Sequence, residues 1–493
     1  MPRNEKDSEL VLGIISTVGT DVDQVIDDIT NQLAFFRYET EIVSVSKDII
    51  SQFETNTETK WPSEFERISY YMDLGNKIRV NTSDNSILMK GVARHLNLKR
   101  PLDEYGYAQP RKRIAYIIKS LKHPDEVSYM RDAYGDSFHL IGVTSSYERR
   151  LKTLIERKGL DKEKAQELLT RDENEDLKQG QHTRDAFQHA DYFICVTEDT
   201  DQIYNSVERL IDLLFGNPFI SPNFDEYAMF MAYATSLRSA DLSRQIGAVI
   251  ARDNEILSMG SNDCPRAGGG LYWPLQKPHG KYEDEPNGRD YMLGYDANKN
   301  EQQRIITSLL SAFNIEASAE NISKAKGAGI GDLTEYGRVV HGEMEALLSC
   351  ARNNISCRNA TLYATTFPCH NCAKHIIAAG IQRVVYIEPY PKSKAFEFYT
   401  AEISDVVKDE RKVVFEPFTG VGPQRFIDLF AVSSTRWYAR KRKDKDGKKL
   451  EWKRGNAELR TSAPLLNYLD AEQTALLNFE DETVALKGDL CHE

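Results

Sequence analysis

Ala360-Thr361-Leu362-Tyr363-Ala364-Thr365-Thr366 runs directly into Phe367-Pro368-Cys369-His370-Asn371-Cys372, and the class of the fold turns on that passage. The first seven residues are apolar and β-prone, so they read as a strand. Proline is tolerated at the first position of a helix, so Pro368 predicts a helix that opens there. Lys374 to Ala379 continue it, and Gly380 ends it. Arg383-Val384-Val385-Tyr386-Ile387 is the next strand. Upstream, His341 heads a second helix through Met344, Ala346, Leu347, Leu348 and Cys350.

His341 and Glu343 form H-x-E, and Cys369 and Cys372 follow as P-C-x-x-C, 28 positions after the histidine. One imidazole and two thiolates make three ligands for Zn2+. A tetrahedral zinc with three protein ligands keeps one position open, which marks a catalytic rather than a structural site. Both ligand groups fall at helix N-termini, where backbone N–H groups and the dipole favour thiolate and oxyanion. His341 and Glu343 are two apart and would not share a face deep in a helix, so they converge only by occupying its first turn. Glu343 is the candidate general acid/base, close to the metal without ligating it. A lone C-x-x-C is also found in redox pairs and zinc ribbons. No second C-x-x-C exists to complete a ribbon, and a redox pair would leave His341 and Glu343 unexplained. Cys195, Cys264, Cys350, Cys357 and Cys491 read as idle thiols, and His370 and His375 as ordinary helix residues.

The 493 residues allow about two to four domains. Hydrophobic content of 41% and charged content of 28% are ordinary for a globular protein. No apolar run approaches a membrane span, so no membrane partner is expected. The charged start, Met1-Pro2-Arg3-Asn4-Glu5-Lys6-Asp7, does not read as a secretory signal. With thiolate ligands, this points to a cytoplasmic location. A net charge of −12 argues against broad affinity for a polyanion, while leaving room for a local phosphate pocket.

Residues 9–15 form a short apolar strand, and the loop from Gly13 through Ser16, Thr17 and Gly19 to Thr20 follows. A helix then carries Val22, Val25, Ile26, Ile29 and Leu33 at helical spacing. Strand, glycine loop and helix make a phosphate cradle. A working P-loop reads G-x4-G-K-[ST], whereas here the glycines stand one residue too far apart and no lysine follows Gly19. Nucleotide or phosphate binding at this loop and a merely structural turn both remain as readings. Further strands at 113–118, 138–143 and 190–196 alternate with helices, which suggests a parallel α/β sheet. The polar stretch 145–189 reads either as a lid whose Arg149, Arg150 and Arg184 reach a phosphate or as a solvated helical excursion. Asn217-Pro218-Phe219-Ile220-Ser221-Pro222 is a linker. Domains are therefore expected at 1–220, 221–434 and 435–493. The last carries Arg440-Lys441-Arg442-Lys443 and Lys448-Lys449 around Asp446-Gly447, between Trp437 and Trp452, and reads as a hairpin. That hairpin is either simply solvated or meets an anionic partner. Residues 264–337 are a long glycine-rich connection.

Residues 224–434 resemble a deoxycytidylate deaminase. The resemblance rests, in order, on Asp225-Glu226-Tyr227, Leu237-Arg238-Ser239, Ser243-Arg244-Gln245-Ile246-Gly247-Ala248-Val249, Gly260-Ser261-Asn262, the two zinc motifs, and Tyr390-Pro391-Lys392-Ser393. The zinc motifs are also those of the nucleobase deaminases at large. Residues 9 to about 434, with the segment from Asn262-Asp263-Cys264-Pro265-Arg266 to Trp273 and the altered loop at 13–21, are similar to bacterial antiphage dCTP/dCMP deaminases. The resemblance implies an N-terminal P-loop NTPase/kinase-like parallel-sheet domain and a C-terminal cytidine-deaminase-like α/β/α domain. It implies zinc-dependent deamination of free deoxycytidine nucleotides, depletion of that pool in antiphage defence, a regulatory nucleotide or RNA at the N-terminal domain, and a homo-oligomer. Asn262 would position the sugar, with Arg244 and Lys392 as phosphate contacts. Two rivals stand beside this reading: a deaminase of single-stranded nucleic acid, and a sensing protein whose output is the deaminase module.

Overall fold

The computed structural model describes residues 7–53, 61–173, 182–390, 393–405, 411–432, 440–460 and 468–476. Among these, fourteen strands follow in chain order. They are β1 (Leu10–Ser16), β2 (Glu39–Ser44), β3 (Ile114–Leu121), β4 (Phe138–Thr144), β5 (Tyr192–Cys195), β6 (Gly247–Arg252), β7 (Glu255–Ser261), β8 (Leu275–Gln276), β9 (Tyr282–Glu283), β10 (Thr361–Thr366), β11 (Arg383–Glu388), β12 (Ile403–Ser404), β13 (Val413–Pro417) and β14 (Gly420–Val421). Two compact units result: Met1–Glu226 with Thr419–Glu493, and Tyr227–Phe418.

The first unit is built on a sheet of order β14-β5-β4-β1-β3-β2. Its five N-terminal strands run parallel, and β14 joins β5 antiparallel. β1 lies in the middle, and its sequence Leu-Val-Leu-Gly-Ile-Ile is buried on both faces, as a parallel strand between helices must be. Helices Asp23–Phe35 and Thr200–Leu214 pack together, and their apolar stripes close the core with Val25, Ile29, Leu33, Val207 and Ile211. Three buried arginines in this unit are matched by carboxylates. Arg79 meets Glu126 at 2.6 Å, Arg425 meets Asp191 at 2.9 Å, and Arg100 is held between Glu9 and Glu472. An unmatched buried charge would cost several kcal/mol.

This division differs from the boundaries at 220 and 434 read from the sequence. Residues from 419 onward belong with the N-terminal chain. Glu226 Oε1 accepts the Val421 N–H at 3.0 Å while Oε2 takes Arg209 at 2.6 Å. That clamp spans 195 residues, so no local change of composition records it. The polar stretch after 145 is helical, with helices Tyr147–Glu156, Lys162–Glu173 and Thr183–Phe187. Arg149 pairs with Glu198 at 2.8 Å, and Arg150 is buried.

The second unit has a mixed sheet of order β12-β13-β11-β10-β6-β7. β10, β11, β13 and β12 are parallel, while β6 pairs antiparallel with both β10 and β7. β6 and β7 form the expected hairpin. Asp253 and Asn254 both take positive φ, 54° and 61°, the backbone of a tight two-residue turn. The long connection 264–337 is not open loop. It holds the small ribbon β8–β9 and helices Asp290–Leu293, Ala297–Ala312 and Ala319–Gly327. In the core, Ala248, Ile250, Leu362 and Ala364 from the sheet meet Ala346, Leu347, Ala373 and Ile376 from helices Gly342–Arg352 and His370–Ala378. No helix among the described residues is long and apolar enough to cross a membrane.

Candidate active site

The C-terminal end of β10 delivers Phe367-Pro368 to Cys369. The helix begins at His370, two residues later than Pro368 suggested. Cys369 is its N-cap, and its sulfur accepts the Cys372 N–H at 3.4 Å. A side chain that accepts from the first turn is what an N-cap requires, and here a sulfur does it. His341 is likewise the N-cap of helix Gly342–Arg352. The two helix starts face one point, and His341 Nδ1 stands 3.4 Å from Cys369 Sγ and 3.4 Å from Cys372 Sγ. One donor atom from each of the three residues falls within 4.8 Å of the others. Neither His370 nor His375 joins this group.

The electrostatics are those of a cation site. The Cys369 thiol is held down to about 4, first by the hydrogen bond from Cys372 and then by His341. His341 is drawn up to about 9 by its bond to Cys369. A buried thiolate and imidazole release their protons when a soft divalent ion takes their place. Glu343 completes the site. It is 3% exposed, and its Oε2 has no hydrogen-bond partner. Burial pushes its carboxyl above the ordinary range, against the pull of His341. A buried carboxylate oxygen left unpaired is costly unless something else is to meet it.

Three features behind the ligands hold them in place. Gly260 on β7 lies against helix Gly342–Arg352, where a Cβ would overlap the Gly342 carbonyl and the Ala346 amide. The H-x-E turn can therefore sit this close to the sheet only with glycine there. Ser393 Oγ donates to Pro368 O at 2.8 Å, which fixes the P-C-x-x-C loop from behind. Thr366 Oγ1 donates to Glu388 Oε2 at 3.0 Å, tying the ends of β10 and β11. Gly260 and Ser393 stood in quoted motifs without a role, since local spacing does not reveal what a residue packs on.

The expected substrate contacts are placed as follows. Asn262 is buried, and its amide bridges the strand entry: Oδ1 accepts the Ile246 N–H at 2.7 Å and Nδ2 donates to Arg244 O at 2.7 Å. Arg244 pairs with Glu388 at 2.9 Å and remains half exposed. Lys392 lies outside the described residues. In the first unit, Gly13 is a residue of β1, not of the loop as expected, and a Cβ there would press on the Phe138 ring at 2.9 Å. The loop begins after Ser16. Thr17 and Thr20 share a side-chain hydrogen bond of 3.1 Å, and Gly19 takes φ +83°. Two residues that sequence reasoning missed meet this loop. The Val18 N–H donates to Asp172 Oδ2 at 2.8 Å, and Lys122 Nζ donates to Ser16 O at 2.8 Å. A glycine-loop pattern contains no signal for either.

Residues 222–388 match the cytidine and deoxycytidylate deaminase zinc-binding region. The deoxycytidylate deaminase of Enterobacteria phage T4 is 30% identical over 171 residues, which are 33% of this chain and 77% of that protein. The phage T2 enzyme is 31% identical over 171 residues, or 33% and 79%. This chain belongs to the deoxycytidylate deaminase family. A more distant family member, from Mycobacterium phage D29, is 28% identical over 165 residues, which are 34% of this chain and 94% of that protein. The matched family region binds zinc, and Zn2+ is the cofactor that this His-Cys-Cys donor set fits. The family match begins at residue 222 and ends at 388, within the second unit except for its first five residues.

Proposed function

We propose that the chain hydrolyses the exocyclic amine of free deoxycytidine nucleotides, taking dCMP and/or dCTP to dUMP or dUTP plus ammonia. The carrying observation is Glu343 Oε2, buried and unpaired beside three convergent metal donors. His341, Cys369 and Cys372 would hold Zn2+. When bound, that ion supplies hydroxide at neutral pH by lowering the pKa of water to roughly 7. Glu343 would take a proton from the attacking water and deliver it to the ring nitrogen, then take the proton of the new hydroxyl on the ring carbon and give it to the amine as the C–N bond breaks and the carbonyl forms. Its burial favours that work, because a carboxyl whose pKa is raised toward the working pH both accepts and returns a proton readily. The helix N-termini at residues 342 and 370 add positive ends near the charge that develops. Asn262 shapes the sugar side by fixing residues 244–246, and Arg244 and Lys392 are assigned to the phosphate.

The first unit is assigned a P-loop kinase-like regulatory role without phosphoryl transfer. Supporting it is the strand order β5-β4-β1-β3-β2, with the loop after β1 at the point where the crossovers change direction, which is where such sheets take ligands. Against phosphoryl transfer stands the missing loop lysine. Thr17, Gly19 and Thr20 with Ser16 would face a regulatory nucleotide or RNA. In cells the expected consequence is loss of the dC nucleotide pool during phage infection, by a cytoplasmic homo-oligomer.

The test is ammonia release from dCMP, dCTP and a cytosine-containing oligonucleotide by the wild-type chain and by Glu343→Gln. The variant should keep its zinc and lose activity by about 10²–10⁴-fold. Activity retained in Glu343→Gln refutes the proton-transfer role. Turnover of the oligonucleotide alone refutes the free-nucleotide reading.

A further inference from the structure

The central strand of the first sheet ends beside both of its neighbours. β1 is in register with β3 to the pair Ile15 and Leu121, and with β4 to the pair Ser16 and Val143. The turn after it is tight: the Thr20 N–H donates to Thr17 O at 3.2 Å, with Gly19 at φ +83°. Helix Asp23–Phe35 then starts from Val22, an N-cap with no side-chain acceptor to offer.

Two charged side chains from distant parts of the sequence meet at this turn. Lys122, one residue past β3, donates from Nζ to Ser16 O at 2.8 Å. Asp172, on helix Lys162–Glu173, accepts the Val18 N–H on Oδ2 at 2.8 Å, and its Oδ1 stands 3.7 Å from Lys122 Nζ. The Asp172 side chain is 1% exposed, and Oδ1 has no hydrogen-bond partner. Ser145, one residue past β4, likewise has a buried hydroxyl without a partner. The helices that bring Asp172 press on the same turn. A Cβ on Gly19 would overlap Arg150 O at 2.8 Å, and the Val18 side chain packs against the cluster of Leu154, Leu168 and Leu169. Arg157 pairs with Asp21 beside it.

A carboxylate that sits on a loop N–H, next to a lysine and ahead of an uncapped helix start, makes the contacts of a phosphate oxygen. Satisfying the Val18 N–H needs no charge, since a neutral amide oxygen would serve. Burying a carboxylate with one oxygen unbonded is costly. The place is also the switch point of the sheet, with β1 flanked by β4 on one side and β3 on the other.

We propose that Asp172 is an internal stand-in for phosphate, seated on the turn after β1, and that Lys122 is the cation of that site in place of the lysine absent after Gly19. Lys122 and Asp172 have these roles only if residues 16–20 take a phosphate at all, as proposed above. A nucleotide phosphate competes with Asp172 for the Val18 N–H and for Lys122. Two anions do not share those partners, so binding drives helices Tyr147–Glu156 and Lys162–Glu173 off the turn. Without ligand the site is shut by its own side chain. Its apparent affinity is lowered to the extent that the open form is rare.

The test is calorimetric titration of the full zinc-loaded chain with ADP, which carries phosphates and no cytosine. Wild type is compared with Asp172→Asn, Asp172→Ala and the double variant Asp172→Asn with Lys122→Met. Asp172→Asn keeps an acceptor for the Val18 N–H, so it removes the charge and spares the fold. Both single variants should bind ADP at least about ten-fold more tightly than wild type, and the added Lys122→Met should cancel that gain. In wild type, saturating ADP should speed amide hydrogen exchange across residues 147–173. Equal affinity in wild type and both Asp172 variants, or slower exchange across 147–173 with ADP, overturns the stand-in role and leaves the phosphate loop in place. Undiminished affinity in the double variant overturns the role of Lys122. No ADP binding by either Asp172 variant up to about 1 mM overturns the phosphate loop itself, and the stand-in with it.

Discussion

Replacing Gly260 with alanine adds one methyl group at the tightest point behind the zinc ligands. That methyl would overlap two backbone groups, the Gly342 carbonyl and the Ala346 amide. Neither can rotate aside, so helix Gly342–Arg352 must move off β7 as a body. Relief of such an overlap takes roughly 1 Å, and a misplacement of that size at a reacting group costs about 10²-fold in rate. Because His341 and Glu343 ride on this helix start, the loss should fall on turnover more than on apparent substrate affinity. Overpacking of this kind also costs about 1–3 kcal/mol, and each 1 kcal/mol lowers the melting temperature of a unit this size by about 2–4 °C. The control is Gly327→Ala, a helical position with nothing near an added Cβ and no positive φ. It should be neutral or stabilising by up to about 1 kcal/mol. The assay is ammonia release together with zinc content and melting temperature. Wild-type turnover and stability in Gly260→Ala would refute the claim that β7 sets the position of the H-x-E turn.

Three further outcomes are expected. Removing zinc with a chelator should abolish ammonia release and lower the melting temperature of the second unit, since an ion at 100 times its Kd adds about 2.7 kcal/mol; a melting curve indifferent to chelation would contradict the assigned ligands. His139 is fully buried and its pKa is lowered to about 4, chiefly by burial and then by Arg425. The unfolded state therefore binds the proton more readily, and stability should fall as pH drops from about 6.5 toward 4, by roughly 3 kcal/mol in all; His139→Gln should flatten that part of the stability profile measured by denaturant melts. Glu472→Ala leaves Arg100 with only Glu9 and frees the Tyr134 hydroxyl, so the first unit should lose about 3 kcal/mol, seen as a lower urea midpoint.

Much of the second unit was legible because its signals are local. The β10 run, the two helix starts and the β6–β7 turn each lie within a dozen residues, and convergence of His341, Cys369 and Cys372 follows from motif order. The same was true of β1 and the helix at Asp23–Phe35. β2 went unread because Glu39-Thr40-Glu41-Ile42-Val43-Ser44 is an edge strand whose outer face is polar, which hides the alternation. Helix Ala297–Ala312 went unread for a related reason: only Gln302, Ile306 and Leu310 are buried along sixteen residues, too sparse an apolar stripe. Gly13 was misread because a glycine required by the Phe138 ring looks, in sequence, like a glycine required by a turn. The clamp of Glu226 depends on a partner 195 residues away, and periodicity does not reach that far.

The late return of the chain to its first sheet constrains how the protein can be made. β14 must pair with β5, and Glu472 must reach Arg100, before the N-terminal fold is whole. On a ribosome adding about 5–20 residues per second, the stretch up to residue 226 waits on the order of tens of seconds with a strand edge unpaired and a buried guanidinium half neutralised. During that interval the inserted catalytic segment emerges and closes on its own metal. A cut at residue 220 therefore does not separate two independent proteins. The natural seam is excision of 227–418 with its flanks rejoined, which would leave a complete host sheet.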